Sequence, residues 1–534
     1  MPSGSDFLQL RIEQAPAGGR ADWLARQLRA AIAQGQLPLG STLPASRHLA
    51  TELRVSRGVV TEAYQRLTDD GHLAGRGRRG TVVIGGARPN RPAELDRLGS
   101  TSNRSTTPTG DLDRSGRPSG PPLAELAESG RSTPAPAAPG VPLVGHRAAP
   151  FTRSDNSMFD ALRAAAASID LSPGAPDLSA FPRAGWLRAE RAVLADLSAD
   201  AFGYPDPRGA PVFRRSIAAW LARNRGMSIQ PDEVIVVAGV AQALALLARV
   251  LRADGIDAVA VEDPGSRGAR EQLRSWGIDT PPVPVDAGGI RVDALMASSA
   301  RAVLLTPAHQ FPTGVVLDGA RRRELLDWAA AGGIVIEDDY DAEHRYDRPP
   351  TPALHAMSGG QICYAGSVSK LLAPALRVGW LVVPAGYREA VVAAKRDADL
   401  GNPLLTQLVL ARMFDTGDLE RHLRLVRRRH RRRRDAMVAA IGEHLPSARV
   451  HGAAAGLHLT ITFAGRDDGS DVDIAVAALA AGVKVHPLSW HRQRPGPGGL
   501  VLGYAASSTS EITDGIRILG ALVDGQGGQR SDGR

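Results

Sequence analysis

The sequence predicts an α/β protein in three parts: a small basic helix-turn-helix module with a wing, a long linker, and a large domain built on a mostly parallel sheet. Three observations predict it. Residues 151 to about 525 alternate short apolar runs with segments of helical period, as a layered α/β domain does. Residues 8 to 84 carry three helical stretches and then a basic hairpin. Between them, residues 85 to 150 are rich in Pro, Gly, Ser, Thr and Arg with hardly an aromatic residue, a composition that cannot bury enough surface to order itself. A short disordered tail is expected at 526–534.

The 534 residues suffice for about three domains, each with its own core. The formal net charge of +8 points to a polyanionic partner, with the distribution mattering more than the total. A single cysteine, Cys363, excludes an internal disulfide, and no Cys/His cluster has zinc-ligand spacing, so no metal is expected. The N-terminus has no basic stretch leading into a long apolar run, and nowhere do eighteen apolar residues follow one another. The expectation is a soluble, cytoplasmic protein without a membrane partner.

In the first module, Trp23 to Ile32 has apolar residues at helical spacing. Leu43-Pro44-Ala45-Ser46-Arg47-His48-Leu49-Ala50 opens a second helix, with Pro44 suited to its first turn. Ser56 caps a third that runs from Arg57 through Thr61 to Leu67. Two short helices across a tight turn are a helix-turn-helix, and Gly71 to Ile84 reads as a hairpin with a basic tip. A double-stranded DNA partner follows: Arg57 and Thr61 face the major groove, Ser46, Arg47 and the wing arginines Arg76 and Arg78 hold phosphates, and Ser56 belongs to the same DNA-binding set. The order of helices and wing, with L-P-x-S-R-x-L-A and V-S-R-x-x-V-x-x-A-Y-x-x-L in register, resembles the winged-helix domain of GntR-type transcription regulators.

In the large domain, Val234 to Leu244 reads as strand, glycine turn and helix, whose start at Gly239, Val240 and Ala241 offers free N–H groups to a phosphate. Strands at Val259–Gly265 and Val303–Gly314 end in polar turns, and Gly333 to Asp341 runs an apolar strand into acids and a tyrosine. Ligand sites in such sheets lie beyond the carboxyl ends of the strands. Lys370, flanked by Ser367 and Ser369 and followed by Arg377, comes after the apolar run Ile362-Cys363-Tyr364. A lysine that condenses with an aldehyde must be neutral part of the time, so burial or a nearby cation such as Arg377 must depress its pKa. Ser367, Ser369 and Arg377 together suit a phosphate dianion. A reactive lysine with a phosphate grip is what pyridoxal 5'-phosphate (PLP) requires. An acid at the strand end could pair with the pyridine nitrogen, and on spacing alone either Asp338 or Asp339 could be that partner; we assign Asp338, with Tyr340 donating to the ring's phenolic oxygen.

The segments Pro176–Pro182, Tyr204–Gly209, Thr306–Gly314, Glu337–Asp341 and Ser367–Gly379 are similar, in order and spacing, to fold-type I aminotransferases. More narrowly, the chain resembles MocR-type regulators, in which such a domain follows a GntR winged helix. The resemblance implies a Schiff base between Lys370 and PLP, Asp338 on the pyridine nitrogen, and a homodimer in which Tyr204 reaches the phosphate of the partner subunit's cofactor. Three positions depart from a working aminotransferase. Ser266 stands where a ring-stacking aromatic is expected, Phe311 where an asparagine usually precedes Pro-Thr-Gly, and Val501 where an arginine often holds the substrate carboxylate. Arg267, Arg492 and Arg494 are candidate substitutes. The expectation is a PLP-responsive DNA-binding transcription regulator, its signal PLP or an amino-acid-like effector. The alternative is an aminotransferase with an appended DNA-binding module. The arginine-rich run Leu423–Arg434 is read as a solvated helical face, the alternative being a secondary DNA contact by charge alone.

Overall fold

The computed structural model describes residues 12–83 and 157–528, apart from positions 17, 18, 34, 35, 39, 70, 71, 76–79, 342, 347–351, 358–360 and 464–469. The expected linker and the wing arginines Arg76 and Arg78 lie outside the described residues. The C-terminal helix Thr509–Gly528 extends a few residues into the expected tail.

Three helices, α1 (Arg20–Ala33), α2 (Ser46–Glu52) and α3 (Arg57–Asp69), pack on a small antiparallel sheet of β1 (Thr42–Leu43), β2 (Leu73–Gly75) and β3 (Thr81–Val83). Leu24 and Leu28 of α1 meet Val60, Ala63 and Leu67 of α3 in one buried cluster. The spacing of those α3 residues is the i, i+3, i+7 stripe of an amphipathic helix, which leaves the opposite face in solvent.

After α4 (Ser157–Ala164), β4 (Ile169–Asp170) and α5 (Arg183–Asp196), α6 (Pro211–Arg225) leads into the main sheet. Its eight strands are β5 (Val234–Val237), β6 (Val259–Asp263), β7 (Pro282–Asp286), β8 (Gly289–Ile290), β9 (Ala302–Leu305), β10 (Ile334–Asp339), β11 (Ile362–Ser367) and β12 (Gly379–Val382), in the spatial order β5-β12-β11-β10-β9-β6-β7-β8. The run from β11 to β7 is parallel, whereas β12 is antiparallel to both its neighbours. α7 (Val240–Ala253) follows β5, and α8 (Arg267–Ser275) follows β6. Both faces of the sheet are covered: Val234, Val236, Tyr364 and Trp380 enter one buried cluster, and Ile235, Val237, Cys363 and Leu381 enter another. Burial on both faces is why these strands read as continuous apolar runs, not as alternating ones. A smaller antiparallel sheet, β13 (Ala448–His451), β14 (His458–Phe463), β17 (Gly499–Gly503) and β16 (His486–Pro487), lies nearer the C-terminus, and β15 (Val483–Lys484) pairs with β4. No helix among the described residues is long and apolar enough to cross a membrane.

The basic run lies on the helix Asp418–His444, and its expected solvated face is only half of it. Arg424, Arg428, Arg431 and Arg432 are exposed, but Arg429 and Arg433 are buried and both reach Asp177 Oδ2 at 2.9 Å. The helical period puts Arg429 and Arg433, one turn apart, on the same inward face, where Asp177 compensates their charge.

Arg225, at the end of α6, is fully buried and its Nε lies 2.6 Å from Asp339 Oδ2. Removing one partner of a buried pair strands the other charge, so Arg225→Ala should destabilise the large domain by about 3–5 kcal/mol. Urea denaturation of the two chains measures this, and a loss below about 1 kcal/mol would show the pair to be dispensable.

Candidate functional site

The candidate site lies at the carboxyl ends of β5, β10 and β11, joined by β12. Register places Val237 opposite Gly379, and Gly379 opposite Ser367. The chain leaves β5 through Ala238 and Gly239, whose φ of +85° suits glycine, and enters α7. Val240 and Ala241 therefore stand in the first turn of a fourteen-residue helix, where backbone N–H groups point out of the helix end. A Cβ at Gly239 would sit 3.5 Å from the Arg377 guanidinium, so the arginine crosses directly over the glycine turn. Arg377 donates to Ala238 O, and its own φ of +50° directs it there. Ser367 Oγ accepts from Ser369 N at 3.4 Å. The predicted phosphate cradle of Gly239, Val240, Ala241, Ser367, Ser369 and Arg377 is thus drawn to one end of the site.

Lys370 stands in the turn after β11, beyond the apolar run. Its Nζ donates to Gly174 O. Burial lowers the ammonium pKa; Asp341 and Asp338 oppose the shift, and the cation that adds to it is Arg163 of α4. The expectation that Arg377 would supply this cation is corrected. Arg377 is turned toward the β5–α7 corner and is tied to Ala238 O.

The choice between Asp338 and Asp339 follows from the period of a strand, in which neighbours face opposite sides. Asp339 faces α6, accepting from Arg225 Nε at 2.6 Å and from the Tyr364 hydroxyl at 2.5 Å. Asp338 faces the Lys370 side, and its Oδ1 is buried with no hydrogen-bond partner among the described residues. Burial, with the charges of Asp339 and Asp341, pushes the Asp338 carboxyl up to about 7. An orphaned buried carboxylate oxygen fits a ligand that brings an N–H to it. The residues present therefore fit a phosphorylated pyridine ring lying between Asp338 and the Gly239 turn.

Several members of the site were not singled out from sequence. Glu262, at the end of β6, accepts from Thr306 N at 3.0 Å and Thr306 Oγ1 at 2.8 Å, and burial raises its carboxyl to about 7. Tyr340, expected on the ring's phenolic oxygen, has its hydroxyl 3.0 Å from His309 Nδ1, a nitrogen that also lies 2.9 Å from Asp341 Oδ2. His309, Asp341 and His458 bring one ligand atom each within 4.8 Å of one another, a grouping that sequence spacing cannot reveal because the residues come from three separate segments. Phe311 stands edge-on to Tyr340 at 6.1 Å between ring centroids. Tyr204 is 91% exposed.

In the first module, Ser56, Arg57 and Thr61 lie exposed around the start of α3, with Arg47 exposed on α2. Arg57 Nε lies 3.4 Å from Ser46 Oγ, and Ser56 Oγ accepts from Val59 N at 3.4 Å, capping α3. The structure thus brings Ser46, Arg47, Ser56, Arg57 and Thr61 together at one end of the helix pair.

A winged helix joined to an aminotransferase-type domain defines a class of DNA-binding regulators. Residues 21–83 match the model of the gntR family of bacterial regulatory proteins, and residues 167–482 match aminotransferase class I and II. The chain is 31% identical to the probable rhizopine catabolism regulatory protein MocR of Rhizobium meliloti, over 93% of this chain and 92% of that protein. It is 29% identical to the pyridoxine biosynthesis transcriptional regulator PdxR of Corynebacterium glutamicum, over 93% and 95% respectively. Among solved structures, a kynurenine aminotransferase of Pyrococcus horikoshii superposes with a TM-score of 0.64 at 26% identity, covering 72% of this chain and 97% of that one. The chain belongs to the MocR-type family of transcription regulators, with a GntR helix-turn-helix domain and a domain of the PLP-dependent fold-type I aminotransferase class.

A group whose folded pKa is raised contributes stability that is full below the unfolded carboxyl range, about 4, and that stability is lost as pH rises through about 7. Asp338→Asn removes this titration. The decline in stability of the cofactor-free chain over that interval should become shallower, by up to about 1.4 kcal/mol per pH unit. Urea midpoints across the pH range read the slope, and an unchanged slope would place the Asp338 titration elsewhere.

Proposed function

We propose that this regulator binds operator DNA as a homodimer and holds PLP at Lys370 as a sensing group, its signal being PLP itself or an amino-acid-like ligand. The observation that carries the reading is the convergence of three features: the desolvated Lys370 amine, the orphaned Asp338 oxygen, and the Gly239 turn under Arg377. Lys370 would hold the cofactor covalently, Asp338 its pyridine nitrogen, Tyr340 its phenolic oxygen, and Gly239, Val240, Ala241, Ser367, Ser369 and Arg377 its phosphate. PLP, when bound, supplies an aldehyde for amines and an electron sink. Phe311 and Val501 favour sensing over turnover: one replaces a polar partner of the ring, and the other is a buried apolar residue where an arginine would grip a substrate. The exposed Tyr204, beside the 61%-exposed Phe202, supports a dimer in which Tyr204 reaches the phosphate held by the partner subunit. A DNA ligand implies a cytoplasmic location. Occupancy changes DNA binding only to the extent that PLP or effector favours one arrangement of the dimer over another.

Purified chain mixed with PLP should keep a visible absorption band through desalting, and Lys370→Ala should lose it. A wild-type chain that stays colourless would refute the cofactor reading. Multiple turnovers with an amino acid and a keto acid would favour the aminotransferase alternative.

Arg57→Ala should weaken binding to the DNA upstream of the protein's own gene by roughly 10- to 100-fold. PLP uptake should be unchanged, and equal DNA binding by gel shift would remove Arg57 from the interface.

A further inference from the structure

We infer that Arg270 and His491 form a subsite for the carboxylate of an amino-acid effector, separated from the cofactor site by Phe311. The inference rests on the sensing function proposed above and names the chemistry of its effector.

Arg270 lies on α8, one turn after Ser266, and is 7% exposed. Its Nη2 donates to Trp490 O at 3.4 Å, but its Nε and Nη1 are buried with no hydrogen-bond partner among the described residues. The nearby carboxylates are already engaged. Asp263 accepts from Arg494 Nε at 2.9 Å and Gln493 N at 2.8 Å, and Glu271 accepts from Arg267 Nε at 2.5 Å. A buried guanidinium with idle donors is costly unless an acceptor reaches it, and a carboxylate matches its fork with two parallel bonds.

His491 offers a second donor, the single N–H of a neutral imidazole. It is 4% exposed, and both ring nitrogens are buried and unbonded among the described residues. His486, in the neighbouring strand β16, has Nε2 in the same condition. The His491 ring stands edge-on to Phe311 at 4.9 Å, and Phe311 in turn contacts Tyr340. His491 also accepts from Gly265 N through its carbonyl at 2.8 Å, which fixes the loop next to the start of α8. Nearby, Ser266 stands in place of the expected aromatic ring, and a Cβ at Gly268 would meet nothing within 4 Å.

The three arginines nominated from sequence are otherwise disposed. Arg494 is paired with Asp263, Arg267 is paired with Glu271 and lies 4.1 Å over the Phe159 ring, and Arg492 folds against Gly496. Arg270 escaped notice because helical spacing alone gives no sign that its donors lack partners.

The test compares L-alanine with L-alaninamide, which lacks the carboxylate, by calorimetry on the full chain loaded with PLP. Wild type should prefer L-alanine by roughly 10-fold or more, and Arg270→Gln should lose about 10- to 100-fold of L-alanine affinity while keeping its PLP content and its alaninamide affinity. Arg270→Lys should restore part of the loss. Absence of a preference in wild type, or unchanged L-alanine affinity in a PLP-loaded Arg270→Gln chain, would overturn the assignment. If Arg270→Gln does not fold, His491→Phe carries the same comparison, with a several-fold loss expected and no loss overturning it. If the wild-type chain takes up no PLP, the cofactor reading fails on its own. Succinate titrated into the cofactor-free chain then decides the subsite: binding that Arg270→Gln abolishes supports it, and binding that the variant retains refutes it.

Discussion

The site depends on how closely β12 is wedged, antiparallel, between β5 and β11. A Cβ at Gly379 would meet Gly366 O at 2.6 Å and Gly239 Cα at 3.0 Å, and a Cβ at Gly366 would meet the Trp380 indole at 2.5 Å. Only glycine permits that approach. Without it the β5–α7 corner would be pushed away from Ser367, and Arg377 could not cross over Gly239. The phosphate cradle is therefore a consequence of strand packing, and its polar side chains complete a pocket that backbone geometry makes possible. The apolar residues of β12 hold the wedge in place, since Trp380 and Leu381 enter clusters on opposite faces of the sheet.

The same sheet accumulates buried carboxylates at its strand ends, and their fates differ with their partners. Asp339 is compensated by the buried Arg225, whereas Glu262, Glu337 and Asp338 are each raised to about 7, with burial the leading cause. Asp341, equally buried, is held low because the surrounding histidines, His309 first, offset the cost of burial. Lys370 sits among these charges with its own pKa lowered. A cofactor with a basic ring nitrogen and an aldehyde offers matching groups for Asp338 and Lys370, so loading the site would relieve two desolvated groups together.

The two functional regions are supported in different ways. The exposed face of α2 and α3 needs no buried charge: its residues stand in solvent because the opposite face is apolar, and Ser56 fixes where α3 begins. Such a surface suits phosphate and base contacts that form in water and are sensitive to salt. The Lys370 and Arg270 regions are buried, so each unpaired donor or acceptor there carries a desolvation cost that makes a specific ligand worth binding.

Local pattern was enough for much of this chain. The three helices with their Ser56 cap, the apolar strands ending in polar turns, and the sequence Ser367-Val368-Ser369-Lys370 with Arg377 following are all written in short-range order, because helix period, strand hydrophobicity and turn chemistry act over a few residues. Sequence also showed what was absent at Ser266, Phe311 and Val501. Spacing alone left Asp338 and Asp339 equivalent, and the physical difference behind the assignment to Asp338 arises only when α6, more than a hundred residues earlier, lays Arg225 against Asp339 on β10. It gave the wrong cation for Lys370: Arg377 is close in sequence but is turned to Ala238 O, and Arg163, some two hundred residues earlier, is brought near only by the fold. It took the arginine-rich helix for a solvated face, when Asp177 draws Arg429 and Arg433 inward. Hydrogen-bond saturation is a property of the assembled interior. That is why the idle donors of Arg270 and His491, and the His309–Asp341–His458 grouping, were decided by tertiary structure alone.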